Sequence, residues 1–194
     1  MVYYKKNIPQ KRGVKMHLSE ETIGVEEIFN GKILNVTRDT VILENGEQAF
    51  REVIHHNGGV CVVPLTDEGE VIFVKQFRYP FKKVLTEVPA GKLEKGENPL
   101  ECGIRELKEE AGAEAKEIIP LGCLYPTVAY DTEIIYMYLA KGLTFSNQSL
   151  DEDEFLDVVK IPLEKAYEMA MNGELPDSKT QLAILKTYLL ENNK

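Results

Sequence analysis

The segment Gly91–Ala113, GKLEKGENPLECGIRELKEEAGA, decides how the chain is read. It is a glycine-bounded loop running into a short helix: Asn98 suits the N-cap, Pro99 the first helical position, Glu101 the first turn, and Gly112 the position just past the end. At about 100° per residue, Leu100, Ile104, Leu107 and Ala111 form the expected packing stripe, and Glu106, Glu109 and Glu110 fall on nearly the opposite face. Like charges one turn apart repel by about 0.2–0.5 kcal/mol per pair, so this cluster is either solvated or held by a cation. Hard carboxylate oxygens suit Mg²⁺, which keeps several waters and completes its shell with substrate phosphate oxygens. Arg105 precedes Glu109 by four residues, a spacing that lets it pair with that carboxylate and orient it. On a bare helix a solvated acidic face is the commoner reading.

The full spacing overturns that default. Gly91, Glu97, Arg105–Glu106, Leu107, Glu109–Glu110, Gly112 and Ala113 together resemble the Nudix box with no mismatch at a defining position. So many fixed positions in one continuous segment leave far less room for chance than a lone GxGxxG. The resemblance extends upstream through QFRYPFKKVLTEVPAGKLEKGE (Gln76 to Glu97) and downstream through LDEDEFLDVVKIPLEKA (Leu150 to Ala166). Both look like the ADP-ribose pyrophosphatase branch of Nudix hydrolases. The match can be followed from about Ile28 to the C-terminus.

The resemblance implies an α+β chain of α/β/α type, a mixed β-sheet sandwiched between helices, with a small N-terminal antiparallel β meander. It implies a Mg²⁺-dependent hydrolase of the pyrophosphate bond of ADP-ribose, with Mn²⁺ as a substitute ion and a homodimer as the assembly. By the same resemblance the backbone carbonyl of Ala90 and the side chains of Glu106, Glu110 and Glu154 hold metal. Arg51 and Arg78 contact substrate phosphates, Glu87 helps hold the nucleotide end, and Phe29 stacks on adenine. Glu152 or Glu154 is the expected base, with Glu109, oriented by Arg105, as the other candidate. Taken alone, the run Asp151–Glu154 reads as a solvated loop.

Two departures bear on the substrate. Where this branch has a pattern resembling Thr-Pro-Gly-Tyr after the box, the chain has Thr127–Val128–Ala129–Tyr130, with its proline earlier at Pro126, and Thr86 replaces the usual aromatic before Glu87. Another nucleoside diphosphate sugar, such as a GDP- or ADP-hexose, is therefore the alternative substrate. A non-catalytic nucleotide-binding Nudix module is the alternative from another class. Such a module is expected to lack box acids, and Glu97, Glu106, Glu109 and Glu110 are all present.

Composition is that of an ordinary globular chain, and the length favours one domain. The chain has 194 residues, 43% hydrophobic and 28% charged, enough to bury a sizeable core. A formal net charge of −9 argues against a broad nucleic-acid surface, which takes clustered Lys and Arg in excess. Cys61, Cys102 and Cys123 are odd in number and lack CxxC spacing, which suggests neither a disulfide framework nor a zinc site and fits a cytoplasmic location. No apolar run approaches the roughly 20 residues a membrane span needs, and no signal-type hydrophobic region follows the N-terminal basic residues.

The expected domain organisation is a loose basic tail over residues 1–15, a dimer-forming meander over 16–57 and a hydrolase domain over 58–194. Met16, directly before HLSEETI, is a candidate natural start. Lys32–Arg38, Thr40–Glu44 and Gln48–His55 read as short strands, with Asn45–Gly46 as a hairpin turn. His55 and His56 would point to opposite faces of a strand, against joint metal ligation. Val60–Leu65 and Val71–Phe77 read as a core hairpin. Lys75, Lys82 and Lys83 near Arg78 are open to reading as a solvated basic loop or as phosphate contacts. Pro162–Asn172 and Ser178–Glu191 read as helices with apolar packing stripes.

Overall fold

The computed structural model describes residues 18–150 and 155–193, and the chain divides into two compact units, Met1–Val53 and Ile54–Lys194. In the first unit, strands β1 (Glu21–Asn30), β2 (Asn35–Ile42) and β3 (Gln48–His55) form a sheet in that order, the last residues of β3 passing into the second unit. The expected turn is present. Gly46 has φ +86° and donates its N–H to the Leu43 carbonyl, while Glu47 N–H donates to the Asn45 side chain at 3.0 Å.

β1 was not expected as a strand. Its pairing with β2 carries two irregularities, between Thr22 and Gly24 and between Glu27 and Phe29, and each shift breaks the period-two alternation by which a strand is recognised. β2 also runs straight through Asp39, where two segments had been expected, because its ladder to β1 is continuous from Asn35 to Ile42 apart from those shifts.

In the second unit, β4 (Gly59–Pro64), β7 (Ala90–Lys92), β8 (Ala113–Leu124) and β9 (Ile135–Phe145) form a mixed sheet of order β7-β4-β9-β8. β4 and β9 run parallel, and the other pairs antiparallel. β5 (Glu70–Arg78), β6 (Lys83–Glu87) and β10 (Leu156–Pro162) form an antiparallel sheet of order β10-β5-β6. The expected core hairpin is thus corrected. Just past β4, Leu65 bridges Val71, and Thr66 N–H donates to the Glu70 carbonyl, but β4 and β5 pair into different sheets. β4 is buried at all six positions, so it needs cover on both faces, which a two-stranded ribbon cannot supply.

That cover comes from helices α1 (Pro99–Ala111), α2 (Leu163–Met171) and α3 (Ser178–Asn192). Alternate residues of β4 serve opposite sides. Cys61 and Val63 join Ala166, Leu175, Ala183 and Ile184 in the core under α2 and α3, while Val62 joins Leu107 and Ala111 of α1, and Val60 joins Cys102. The result is the α+β arrangement with helices on both faces of a sheet.

Candidate active site

α1 starts and stops as its sequence dictates. The Asn98 side chain accepts from Leu100 N–H, Pro99 opens the helix, and Gly112 closes it at φ +59°. A Cβ at Gly112 would lie 2.5 Å from the Ser146 carbonyl oxygen, so both conformation and space require glycine.

The face that α1 buries is only in part the expected one: Leu107 and Ala111 of the expected stripe are buried. Leu100 and Ile104 are exposed at 42% and 47%, and the buried side includes Cys102, Glu106, Leu107, Glu110 and Ala111. Pattern reading assigns the widest apolar arc to the core, but two carboxylates occupy part of that interface here. Burying an ion costs several kcal/mol unless hydrogen bonds or opposite charge compensate, so the structure around them is specific. Glu106 is 8% exposed, and its carboxyl carbon lies 1.9 Å from where a Cβ at Gly91 would sit. Any side chain at Gly91 would displace that carboxylate. Glu110 is 2% exposed and accepts from Ala90 N–H at 2.8 Å. The acids are therefore seated against β7, beside the Ala90 and Gly91 backbone.

Arg105 gathers the remaining acids. Its guanidinium lies 3.2 Å from Glu97, 2.7 Å from Glu106 and 2.9 Å from Glu109. The expected pairing with Glu109 is present, and Glu97 and Glu106 join it. Burial works against the Arg105 charge, yet these carboxylates hold its pKa above the usual arginine range. Three carboxylates around one guanidinium leave a local excess of negative charge, a setting that favours a further cation. Burial pushes the Cys102 and Cys61 thiols up to about 12, so neither supplies a thiolate nucleophile. Among the described residues no three His, Cys, Asp or Glu side chains converge as a ready metal cage. Glu106 and Glu110 with the Ala90 backbone nevertheless fit a hard cation in donor chemistry, and Gly91 keeps the space they need.

A second charged group flanks the first. Arg78 forms a bidentate pair with Glu87, Nε to Oε1 at 2.6 Å and Nη2 to Oε2 at 2.7 Å. Lys179, in the first turn of α3, adds 2.5 Å to Glu87 Oε2 and 3.0 Å to Asp177. Burial alone would raise the Glu87 pKa, but Arg78 and Lys179 together hold it below the usual carboxylate range. The Arg78 charge is favoured chiefly by its bond to Glu87, and the field of Glu110 also reaches it.

The segment Glu87–Gly91 is held at every residue: Glu87 by Arg78 and Lys179, Val88 N–H by the Thr180 hydroxyl at 3.0 Å, Pro89 carbonyl by Val62 N–H, Ala90 N–H by Glu110, and Gly91 by the space Glu106 fills. Sequence reasoning missed Lys179, Thr180 and Asp177. One signal was available: a lysine in the first turn opposes the helix dipole and so calls for an acid partner. His56, which the sequence spoke against as a joint metal ligand with His55, instead pairs with Glu133, a residue the sequence did not single out. His56 Nδ1 accepts from Gly58 N–H at 3.1 Å and lies 3.3 Å from Glu133, whose pKa is raised mainly by burial.

The structure thus brings together Ala90, Arg105, Glu106, Glu109 and Glu110, with Arg78 and Glu87 adjacent. Phe29 and Arg51 belong to the N-terminal unit. Phe29 is 57% exposed on β1, and Arg51 is bound by Glu20 at 2.9 and 2.5 Å. Glu152 and Glu154 lie outside the described residues.

A glycine seat for a buried glutamate and paired acids on one helix give the site an excess of carboxylates beside the β7 backbone. Residues 55–181 match the NUDIX domain, and the chain belongs to the Nudix family as a Nudix pyrophosphohydrolase. It is 42% identical over 176 residues to an ADP-ribose pyrophosphatase of Bacillus subtilis (strain 168), covering 90% of this chain and 95% of that one. It is 39% identical over 174 residues to a methanol dehydrogenase activator of Bacillus methanolicus, covering 89% and 94%. Its fold matches that of a solved ADP compounds hydrolase with a TM-score of 0.80 at 21% identity, over 92% of this chain and 98% of that one.

Proposed function

We propose that the protein hydrolyses the pyrophosphate bond of ADP-ribose to AMP and ribose 5-phosphate in a Mg²⁺-dependent reaction, with Mn²⁺ able to replace Mg²⁺. The observation that carries this reading is the pair of buried acids, Glu106 and Glu110, seated against Gly91 and Ala90. The similarity to the Bacillus subtilis ADP-ribose pyrophosphatase along nearly the whole chain supports the substrate. Glu106, Glu110 and the Ala90 carbonyl would hold the ion, with Glu154 as a further ligand. Bound there, the ion would neutralise pyrophosphate charge and acidify water.

The chain's own residues supply the rest. Arg105 holds Glu97, Glu106 and Glu109 in one orientation, fixing the acids before substrate arrives. Arg78 presents a cation to the diphosphate, aided by Arg51. Glu87 aligns Arg78 and lies beside the nucleotide end of the site. Glu152 takes the proton of the attacking water, with Glu109 the substitute if that loop plays no part. The protein works in the cytoplasm as a homodimer in which the N-terminal meander, Ile28–Phe50, contributes to the partner's site. β1 is exposed at all ten positions and carries Ile23, Val25, Ile28 and Phe29, an edge that calls for a partner. Phe29 stacks on the adenine base.

The departures at Thr86 and Thr127–Tyr130 favour a second reading, hydrolysis of another nucleoside diphosphate sugar. One assay separates the two: purified protein with Mg²⁺ and a panel of ADP-ribose, GDP- and ADP-hexoses, diadenosine polyphosphates and nucleoside triphosphates, with products identified. Highest kcat/KM for ADP-ribose with AMP released supports the first reading. Preference for a hexose nucleotide supports the second, and no turnover of any compound defeats both.

A further inference from the structure

We infer that Lys179 is a positioning residue for substrate binding: it acts through Glu87 to hold Arg78 as a phosphate grip. The inference rests on the pyrophosphatase reading above. Glu87 is 2% exposed, and each of its carboxylate oxygens is bound by Arg78. Without Lys179, Arg78 and Glu87 would be a closed ion pair, each cancelling the other's field. Lys179, almost as deeply buried, shares Glu87 Oε2 at 2.5 Å. It thereby takes up part of the carboxylate's charge and leaves more of the guanidinium's field directed outward.

The geometry is consistent with that division. Arg78 uses Nε and Nη2 on Glu87, and the rest of its five N–H donors have no partner among the described residues. Its side chain is 37% exposed, which leaves those donors open to a ligand. Lys179 is itself fixed. Asp177 caps α3 by accepting from Thr180 N–H at 3.0 Å and lies 3.0 Å from the lysine ammonium, while Thr180 bonds Val88 N–H next to Glu87. The first turn of α3 therefore grips two successive residues ahead of the box, and its lysine reaches the substrate only through Glu87 and Arg78.

The test is a double-mutant cycle on the full chain with ADP-ribose and Mg²⁺. Lys179→Met keeps most of the aliphatic stem and removes the charge. It is expected to raise KM by about tenfold or more while kcat falls less than about threefold, the signature of lost uniform binding. Arg78→Ala should raise KM at least as much, and the double variant should be no worse than Arg78→Ala alone. An unchanged KM in Lys179→Met, or effects that multiply in the double variant, overturn the inference. Glu87→Gln removes the link without changing side-chain volume, and its cycle with Arg78→Ala decides the same question if Lys179→Met does not fold. The cycle can also be read as the Kd of ADP by calorimetry, which needs no turnover. Wild-type protein that binds ADP but turns over no nucleotide sugar overturns the function alone, whereas wild-type turnover with a multiplicative cycle overturns the positioning role alone.

Discussion

Glu87 on β6 and Glu110 on α1 are buried to the same degree, 2% exposed each, yet the fold compensates them in different ways. Glu87 lies between two cationic side chains, Arg78 and Lys179. Glu110 takes a backbone N–H from Ala90, and one turn earlier Glu106 shares Arg105 with Glu97 and Glu109. The first acid is matched by charge that the chain itself carries. The second belongs to a group in which carboxylates outnumber guanidinium, which is the arrangement expected where an ion from solution completes the balance. Equal burial, then, does not mean equal role: one carboxylate aligns an arginine, and the other, on the function proposed above, holds a cation.

The sharpest way to break this contrast is to neutralise the α1 acids. Glu110→Gln and Glu106→Gln should each lower kcat/KM by roughly 100-fold or more at ordinary Mg²⁺, with circular dichroism and Tm close to wild type. Full activity in either variant would remove the metal-site reading. Gly91→Ala tests the same site from the other side. Its Cβ would overlap the Glu106 carboxylate, so activity should fall comparably although no charge has changed.

The next effect separates an acid that holds metal from one that moves a proton. At saturating Mg²⁺, one of Glu152→Gln and Glu154→Gln should lose at least about 100-fold in kcat, the scale of general base catalysis. The metal ligand of the two should instead show a raised Mg²⁺ requirement that extra Mg²⁺ partly restores. Near-normal kcat in both variants would pass the role of base to Glu109.

How much of this was legible in the sequence depended on whether a signal was local. The caps of α1 and the Arg105–Glu109 pair are short-range patterns, and each appears where it was expected. β1 was hidden because two register shifts break its alternation. The buried face of α1 was misjudged because Leu100 and Ile104 are apolar but exposed, whereas Glu106 and Glu110 are charged but buried. No periodicity rule assigns carboxylates to an interior face. Lys179 lies 92 residues from Glu87, and only the fold brings them together.

A smaller effect is expected at the N-terminal sheet. Phe29→Ala should raise KM for an adenine nucleotide a few-fold and change kcat less, as for uniform binding. Light scattering at micromolar concentration should give twice the chain mass. A stable monomer would defeat the homodimer and leave Phe29 without the neighbour that the stacking role assumes.

The least effect, and the one that bears most directly on the contrast, concerns acid. Burial pushes the Glu87 pKa up, but Arg78 and Lys179 bring it below its ordinary value. A carboxylate whose folded pKa is depressed adds stability that is fully present above its unfolded pKa, about 4.3 for glutamate. That stability is lost as pH falls through the folded value. Wild-type Tm should therefore decline below about pH 4 partly through Glu87, and Glu87→Gln should flatten that part of the decline while lowering Tm at pH 7, where the ion pairs are intact. Arg78 and Lys179 stay charged throughout this range, so the slope belongs to the acids. Glu97, whose pKa is lowered first by the Glu94 backbone N–H and also by Arg105, contributes a slope of the same sign. The comparison must therefore be made as a difference between Glu87→Gln and wild type at each pH. If that difference does not change between pH 7 and pH 3, Glu87 is not held ionised by Arg78 and Lys179, and the contrast between the two buried acids fails at its better-compensated end.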